Sequence, residues 1–306
     1  MITVVGSINM DIVAFVNSYP QHGDTVFGDK LEFSPGGKGA NQATACAKLG
    51  KAVTLIGCVG EDPFGDRLIS TLQRNKVNVD DVKRSKSTRT GTVLVTVDES
   101  AANTMLVVQG ANEQLNIGDI ESCREIFKKS KALLVQLEIP GETVIQAMIL
   151  AREYGVPIIL DPAPAQGITA EALKYADIII PNRQETKYLT GIDVKDVQSA
   201  VEAAVYLESI GVEKSIIKMA EMGSVVYVKG QWEHIEPIRV IPVDTVAAGD
   251  SYAGALACAL ADGESLVAAA KFASMVSALK VTRFGAQEGI PTLAEVQDFC
   301  ASISKD

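Results

Sequence analysis

Residues 132–160 read ALLVQLEIPGETVIQAMILAREYGVPIIL, in which two short apolar runs enclose an uninterrupted helical stretch. Apolar runs without polar alternation are typical of strands that are covered on both faces in a parallel sheet. The same alternation continues along the chain. We predict strands at Ala132–Leu137, Pro157–Leu160, Asp177–Ile180 and Ser215–Met219, and helices at Glu142–Tyr154, Thr169–Tyr175 and Val197–Ile210. The pattern predicts an α/β fold with a doubly wound, mainly parallel central sheet flanked by helices.

Two segments depart from this alternation, residues 24–34 and residues 90–108. In the second, Thr92–Val97 and Thr104–Val108 flank a polar turn at Asp98–Asn103. We predict antiparallel strands in both segments, forming a small separate sheet. The strands of this sheet would come from about residues 11–35 and 90–110 of one domain that spans residues 1–306. A plain β extension with no gating role is the alternative.

Composition restricts the class of protein. The chain has 306 residues, of which 47% are hydrophobic, enough for a sizeable core. A net charge of −10, without any run of five or six basic residues, argues against nucleic-acid binding. The five cysteines are odd in number and widely spaced, and they predict neither a disulfide framework nor a zinc site.

The beginning of the chain predicts a strand that enters the core. Its first sixteen residues are apolar but lack a basic start and include Asp11, which argues against a signal peptide. No apolar run approaches the roughly 18 residues that a membrane span needs. We therefore expect a cytoplasmic protein with no membrane partner.

The segment Asp244–Asp250, DTVAAGD, precedes a helix-forming apolar stretch at Ser251–Ala261. The small residues before that helix should leave backbone N–H groups pointing outward, and such a helix N-terminus binds anions. The carboxylate of Asp250 would oppose a phosphate there, but it could take a proton from an alcohol that attacks the phosphate. The segment therefore predicts a kinase with Asp250 as the base. A helix cap without chemistry is the alternative.

A second glycine-rich segment, Gly36–Asn41 or GGKGAN, opens another apolar helix at Gln42–Leu49 and ends in an amide side chain. The presence of two such segments in one chain weakens the capping alternative.

These motifs together resemble the PfkB family of carbohydrate kinases. DTVAAGD is similar to the C-terminal signature of the family, and GGKGAN to its N-terminal signature as found in its ribose-phosphorylating members. Further matches follow in order along nearly the whole chain: Gly6–Asp11, Gln136–Glu138, Asn182 with Glu185, and Val281–Ala286. The resemblance implies that the small sheet is a lid over a sugar and a contact between two copies in a homodimer.

The resemblance also assigns roles to individual residues. It implies Asp250 as the catalytic base, with an anion hole made by Ala247, Ala248 and Gly249. A polyol needs paired donors and acceptors, because a mismatch leaves buried polar groups without partners. The implied sugar pocket, completed by Asp250, consists of Asn9, Asp11, Gly37, Lys38, Gly39, Ala40, Asn41 and Glu138.

For ATP, the resemblance implies a site that includes Gly249 and Asp250. Its other implied members are Asn182, Glu185, Lys218, Met219, Ala220, Glu221, Met222, Gly223 and Ser274. An acidic residue beside a triphosphate would repel it, so Glu185 is expected to act through Mg²⁺ and its waters. The alternative is that Glu185 favours the helix N-terminus electrostatically. The family usually has glycine where this chain has Ala220, and Glu221 adds a carboxylate.

The resemblance further implies a potassium ion near the anion hole, and activation by potassium over sodium. The matching positions, most of which would act through backbone carbonyls, are Asp244, Val246, Lys280, Arg283, Gly285 and Gly289.

The activity implied by the resemblance is ATP-dependent phosphorylation of the primary hydroxyl of D-ribose. Within the same reaction class, 2-deoxyribose, fructose-type sugars and nucleosides remain rivals. Asn9 favours ribose, because its amide can bond a hydroxyl that deoxyribose lacks. A non-catalytic sugar-binding regulator is the alternative from another class, and the intact Asp250, Asn182, Glu185 and Gly249 argue against it.

Overall fold

The computed structural model describes residues 1–99, 103–166 and 168–303. Its strands are β1 Ile2–Val5, β2 Asn9–Val16, β3 Gly28–Gly36, β4 Val53–Gly60, β5 Val82–Ser85, β6 Gly91–Val97, β7 Asn103–Val108, β8 Ala132–Val135, β9 Ile158–Leu160, β10 Ile178–Ile179, β11 Lys214–Lys218, β12 Ser224–Val228 and β13 Gln231–Ile235. Its α-helices are α1 Lys38–Lys48, α2 Pro63–Arg74, α3 Ile117–Ser122, α4 Arg124–Lys129, α5 Gly141–Glu153, α6 Ala170–Leu173, α7 Arg183–Thr190, α8 Val197–Ser209, α9 Ala248–Ala261, α10 Leu266–Val281 and α11 Leu293–Ile303.

The large sheet has the strand order β13-β12-β11-β10-β9-β8-β1-β4-β5. All neighbours from β11 to β5 run parallel, and only β12 pairs antiparallel, with β11 and β13. Alternate residues of β1 face opposite layers, with Val4 in the core shared with α1, α9 and α10 and Val5 in the core shared with α5 and α8. Helices therefore cover both faces, which explains the unbroken apolar runs and confirms the predicted fold class.

The boundaries of the predicted elements needed small corrections. Strand β8 ends at Val135, so that Gln136 and Glu138 lie just beyond the sheet. Helix α1 begins at Lys38 and not at Gln42, because Gly37 caps it with φ +89° and turns the chain directly into the helix. Most of the GGKGAN motif thus forms the first turn of α1.

The small sheet has the order β3-β2-β6-β7. The prediction of antiparallel strands was wrong for its central pair, since β2 and β6 run parallel. The long connection between them, which contains β3, α1, β4, α2 and β5, permits parallel pairing. The predicted turn at Asp98–Asn103 includes residues 100–102, which lie outside the described residues.

The first sixteen residues, predicted to form a strand that enters the core, contain two strands. The first, β1, lies in the large sheet, and β2, which overlaps the region predicted for the small sheet, lies in that sheet. Throughout the described ranges, no helix is both long enough and apolar enough to pass through a bilayer.

Candidate active site

The turn before α9 offers backbone amides to an anion. Ala247 holds a left-handed conformation with φ +59°, and α9 starts at the next residue. The amides of Gly249 and Asp250 lie in the first helical turn, where no intrahelical acceptor is available. The amide of Ala248 instead donates to the Thr245 carbonyl at 3.2 Å. Of the residues predicted for the anion hole, Ala248 thus uses its amide within the turn, whereas the Gly249 amide has no intrahelical acceptor.

The carboxylate of Asp250 lies buried beside this turn, and the residue is 6% exposed. Its Oδ2 accepts a hydrogen bond from Asn41 Nδ2 at 2.9 Å, and its Oδ1 accepts one from Gln42 Nε2 at 3.1 Å. Burial raises the pKa of this carboxyl, with Asp161 adding to the rise, while Lys38 and the two amides oppose it. A carboxylate with a raised pKa is a better proton acceptor near neutral pH.

Close packing of α9 on α1 brings Asp250 to Asn41 and Gln42. Gly254 of α9 faces α1, where an added Cβ would lie 2.6 Å from the Cβ of Ala45 and 2.9 Å from the Gln42 carbonyl oxygen. Only a residue without a side chain fits at this distance, so Gly254 sets the contact that joins the two sequence motifs.

A network of polar side chains that the sequence analysis missed extends from Asp250. Gln42 Nε2 also donates to Asp161 Oδ2 at 2.9 Å, and Lys218 Nζ lies 3.0 Å from Asp161 Oδ1. Gln287 Nε2 donates to Asn41 Oδ1 at 3.2 Å. Asp161 directly follows β9, and its position at the carboxyl end of a parallel strand was the signal that could have identified it.

The residues predicted to bind the sugar surround one group of charges. Glu138 Oε2 accepts hydrogen bonds from Ser7 Oγ at 2.6 Å and from the Lys38 backbone amide at 3.4 Å. Burial lowers the pKa of the Lys38 ammonium, but Asp250 and Glu138, with smaller contributions from other acids, more than offset this and hold it above its usual value. Lys38 therefore stays charged among these carboxylates.

Asp11 and Asn9 occupy the beginning of β2. Oδ1 of Asp11 is shielded from solvent and has no hydrogen-bond partner among the described residues. Burial, together with the nearby carboxylates of Glu138 and Asp250, raises the pKa of Asp11 to about 7. Asn112, which the sequence analysis missed, donates from Nδ2 to Asn9 Oδ1 at 2.7 Å. This contact orients the Asn9 amide so that its nitrogen can donate to a ligand.

The remaining glycine-rich residues bring backbone into close contact with β1 and β2. A Cβ on Gly37 would lie 2.7 Å from the Asn9 amide nitrogen, and one on Gly39 would lie 2.5 Å from the Gly6 carbonyl carbon. The amide of Ala40 donates to the Ser7 carbonyl at 3.0 Å. These contacts fix the positions of the side chains that are predicted to bind the sugar.

A cavity of about 880 Å³ opens beside the first turn of α9. This volume lies within the range of small-molecule sites. Of the residues predicted for ATP, the cavity is lined by Asn182, Lys218, Ala220, Glu221, Gly223, Gly249 and Ser274. Lining residues that were not predicted include Arg183, Pro237, Arg239, Thr245, Tyr252 and Val281. Met219 is instead buried in the core. The Met222 carbonyl is hydrogen-bonded to His234 Nε2 at 2.8 Å.

Ala220 lies at the edge of this cavity with φ +54°. A left-handed backbone favours glycine, which gives a physical reason for the glycine that the family usually has at this position. The added carboxylate of Glu221 lies 3.4 Å from Arg183 Nη1, and this ion pair moderates its negative charge at the cavity.

Asn182 and Glu185 form a capping box at the start of α7. The Glu185 amide donates to Asn182 Oδ1 at 2.9 Å, and the Asn182 amide donates to Glu185 Oε2 at 2.7 Å. Burial raises the pKa of the Glu185 carboxyl, Lys218 lowers it, and Asp161 raises it further. Glu185 thus interacts with the N-terminus of α7, as in the alternative interpretation. It also interacts electrostatically with Asp161 and Lys218.

The residues at the predicted potassium site do not fit a potassium ion. The side chain of Lys280 is fully buried, and its Nζ donates to the carbonyl oxygens of Asp244 at 3.1 Å and Arg283 at 3.3 Å. Oδ2 of Asp244 lies 3.6 Å from the same nitrogen. Burial lowers the pKa of Lys280, and Asp244 opposes that change. The Lys280 ammonium group therefore binds two carbonyl oxygens, those of Asp244 and Arg283, that were predicted to coordinate the potassium ion.

Comparisons with known proteins show the family to which the chain belongs. The model of the pfkB family of carbohydrate kinases matches residues 1–293. A ribokinase from Haemophilus influenzae is 36% identical over 298 residues, which cover 97% of each chain. A deoxyribokinase from Salmonella typhi is 33% identical over 301 residues, covering 97% of this chain and 98% of that protein. The structure of Arabidopsis thaliana ribokinase complexed with ribose and ATP is similar with a TM-score of 0.89, at 29% identity and 97% coverage of each chain.

The fold and the site, taken with these similarities, define a carbohydrate kinase, an enzyme that transfers a phosphoryl group to an alcohol. Both ribokinases cover 97% of this chain. The chain belongs to the pfkB family of carbohydrate kinases.

Proposed function

We propose that this protein transfers the γ-phosphoryl group of ATP to the primary hydroxyl of D-ribose. The observation that carries the proposal is the buried Asp250 carboxylate, which lies between the predicted sugar residues and the amides at the start of α9. The similarity to ribokinases, one of them in a complex with ribose and ATP, supports both substrates.

In this mechanism Asp250 accepts the proton of the ribose hydroxyl as the new O–P bond forms and the bond to ADP breaks. The negative charge of the transferred group is stabilised by the amides of Gly249 and Asp250. The Lys218 ammonium adds positive charge, since it lies 3.8 Å from the position of a Cβ on Gly249. Asn41 and Gln42 orient the base through their hydrogen bonds to its two oxygens.

Magnesium is expected to enter with ATP. Mg²⁺ in kinases is held by substrate phosphates and one or two carboxylates, usually through water. Glu185 interacts electrostatically with Asp161 and with Lys218, a residue of the cavity lining, and carboxylate oxygens fit such an ion. When bound, the metal would neutralise charge on the phosphates.

The choice of ribose over 2-deoxyribose rests on Asn9. Its amide, oriented by Asn112, would lose a hydrogen-bond partner if the sugar lacked one hydroxyl. The similarity to a deoxyribokinase makes 2-deoxyribose the main rival.

A coupled ADP-release assay with ribose, 2-deoxyribose, fructose and nucleosides tests the proposal. We expect kcat/KM for ribose to exceed that for 2-deoxyribose by about tenfold or more, as expected when a buried donor is left unpaired. Equal values would contradict the sugar assignment. No turnover with any of these compounds would contradict the kinase and favour a sugar-binding regulator.

We further propose that the small sheet closes over the sugar and joins two copies of the chain. Strand pairing aligns Phe33, Ile12, Leu94 and Leu106 in one row across its four strands. Phe33, Leu94 and Leu106 are 39%, 46% and 57% exposed. An exposed apolar row of this kind is typical of a surface that is covered in an assembly.

A further inference from the structure

The ammonium group of Lys280 lies between two loops that frame the anion-binding turn. Lys280 is near the end of α10, and its side chain is 0% exposed. Nζ donates one hydrogen bond to the Asp244 carbonyl, in the loop before α9, and another to the Arg283 carbonyl, in the loop after α10. One buried cation therefore connects both loops.

Asp244 extends this connection to the turn itself. Its Oδ1 accepts a hydrogen bond from the Val246 amide at 2.9 Å, and its Oδ2 accepts one from the Gly285 amide at 2.9 Å. Ala247, which has the left-handed backbone, follows Val246 directly. One turn before Lys280 on α10, Ser277 Oγ donates to the Ala248 carbonyl at 3.0 Å. Helix α10 thus holds the turn on both sides.

The oxygen atoms at this place require a positive charge. Carbonyl dipoles and a carboxylate that face one buried point repel one another unless a cation lies between them. The oxygens are also crowded, since a Cβ on Gly289 would lie 2.6 Å from the Gly285 carbonyl oxygen and 3.1 Å from that of Arg283. A lysine ammonium is a compact charge with three donors, which suits this set of acceptors.

We propose that the Lys280 ammonium is a built-in monovalent cation that fixes the anion-binding turn, so that phosphoryl transfer by this protein needs no potassium. The inference rests on the proposed function for its kinetic part. It replaces the potassium activation that the family resemblance implies, because the tethered charge binds the same carbonyl oxygens. Lys280 acts on the reaction as a positioning residue, through Asp244 and the turn.

The first experiment compares ADP release in potassium, sodium and tetramethylammonium chloride at equal ionic strength, with the best sugar at saturation. The wild-type rate is expected to be the same in all three salts. Lys280→Ala should lose about tenfold to a hundredfold in tetramethylammonium, the range expected when a catalytic turn is misplaced by an ångström or less. Potassium or ammonium ions should restore its activity in a saturable manner, because they can enter the space left by the side chain.

Two variants control this experiment. Lys280→Met keeps the volume of the side chain without its charge, so it should lose activity and resist rescue by potassium. Lys271→Met removes an exposed lysine of the same helix, which pairs with Glu233 on the surface, and should behave like the wild type in every salt.

Thermal unfolding tests the cation independently of turnover. Potassium should raise the Tm of Lys280→Ala above its value in tetramethylammonium, with saturation, as for any ligand that binds only the folded state. The wild-type Tm should not respond in this way. If no sugar is phosphorylated, the proposed function fails while this result still decides the role of Lys280.

Either of two results overturns the inference. One is a saturable increase of wild-type rate or Tm with potassium, which alone is decisive even if the variants fold poorly. The other is a Lys280→Ala protein that remains fully active without an alkali cation and does not respond to potassium.

Discussion

Single residues decide the chemistry of this site, beginning with the carboxylate of Asp250. It accepts hydrogen bonds at both oxygens, and burial raises its pKa. Replacement by asparagine keeps the size of the side chain but removes the proton acceptor. We therefore expect Asp250→Asn to lower kcat by about a hundredfold or more, the usual contribution of a general base.

The control for Asp250→Asn is its unfolding curve. Removing a buried charge relieves a desolvation cost, but the new amide nitrogen faces one of the two donors, Asn41 Nδ2 or Gln42 Nε2, so the two effects oppose each other and Tm should change little. A variant that keeps near-normal turnover would remove Asp250 from the mechanism, and a large fall in Tm would point to a structural role.

Asp11 links sugar binding to pH. Its pKa is raised from 3.8 to about 7 by burial and by the carboxylates of Glu138 and Asp250. Sugar hydroxyls that donate to this carboxylate favour its ionised form, so binding should release a proton. The Kd for sugar should then fall as the pH rises through about 7, and calorimetry in two buffers should detect the released proton.

The folding stability of the protein gives the matching control. A raised native pKa means that the contribution of Asp11 is fully present below its unfolded pKa of 3.8 and is lost as the pH rises through about 7. Asp11→Asn should therefore gain stability relative to the wild type over this interval, and its sugar Kd should be flat with pH. A wild-type Kd that is independent of pH would contradict the assignment.

Sequence alone predicted site residues whose motif is continuous along the chain, and it missed residues that approach them only in the folded structure. GGKGAN and DTVAAGD contain Asn41 and Asp250, which are hydrogen-bonded in the structure. The polar network also includes residues from separate segments, namely Asp161, Asn112 and Gln287. No local pattern indicates that Gln42 donates hydrogen bonds to both Asp161 and Asp250. The fully buried position of Lys280 was likewise unpredictable, because a lysine near a helix end is usually solvated.

At the scale of elements, helix α7 begins with a capping box that includes a proposed magnesium residue. The two roles of Glu185 can be separated by Glu185→Gln, because glutamine can keep the backbone hydrogen bond while losing the charge. We expect Tm to change little, and the Mg²⁺ concentration needed for half-maximal rate to rise. Titration of activity with Mg²⁺ at fixed ATP measures this change.

A capping residue remote from the site provides the comparison. Asp196 caps α8 and accepts a hydrogen bond from the Ser199 amide at 2.8 Å. Asp196→Asn should leave the Mg²⁺ titration unchanged. If both variants behave alike, Glu185 serves the helix and not the metal.

The order of helices and strands could be predicted from the sequence because hydrophobic periodicity is a local property. The sequence did not predict which strand pairs with which. The parallel pairing of β2 with β6 depends on a connection that contains three other strands and two helices, and the hydrophobic pattern within each strand is the same for either direction. The predicted end of β8 was too late, because polar residues that begin with Gln136 follow its last pair with β1, Val5–Val135.

At the scale of the whole molecule, the exposed row on the small sheet predicts a homodimer. Leu106 lies on the edge strand β7, opposite Leu94. Leu106→Arg would place a charge in the proposed contact, where burial without a partner is costly. We expect this variant to be monomeric at concentrations at which the wild type is a dimer, as measured by light scattering after gel filtration.

A matched variant with arginine at another exposed apolar residue, Ile241→Arg, should leave the dimer intact, since Ile241 is 87% exposed outside this sheet. A monomeric wild type would contradict the proposed pairing, and so would a Leu106→Arg protein that remains a dimer.

The start of β2 joins three strands of the small sheet, and this affects how the sheet can move. Asn9 pairs with Gly36 on one side and with Gly91 on the other, so three strands are joined at this residue. In the proposed closure of the small sheet over the sugar, a ligand bound by Asn9 would contact the point at which these three strands meet. Sugar binding should therefore reduce the movement of the small sheet as far as its edge strand β7. The amide hydrogens of β7 should then exchange more slowly with deuterium when sugar is bound.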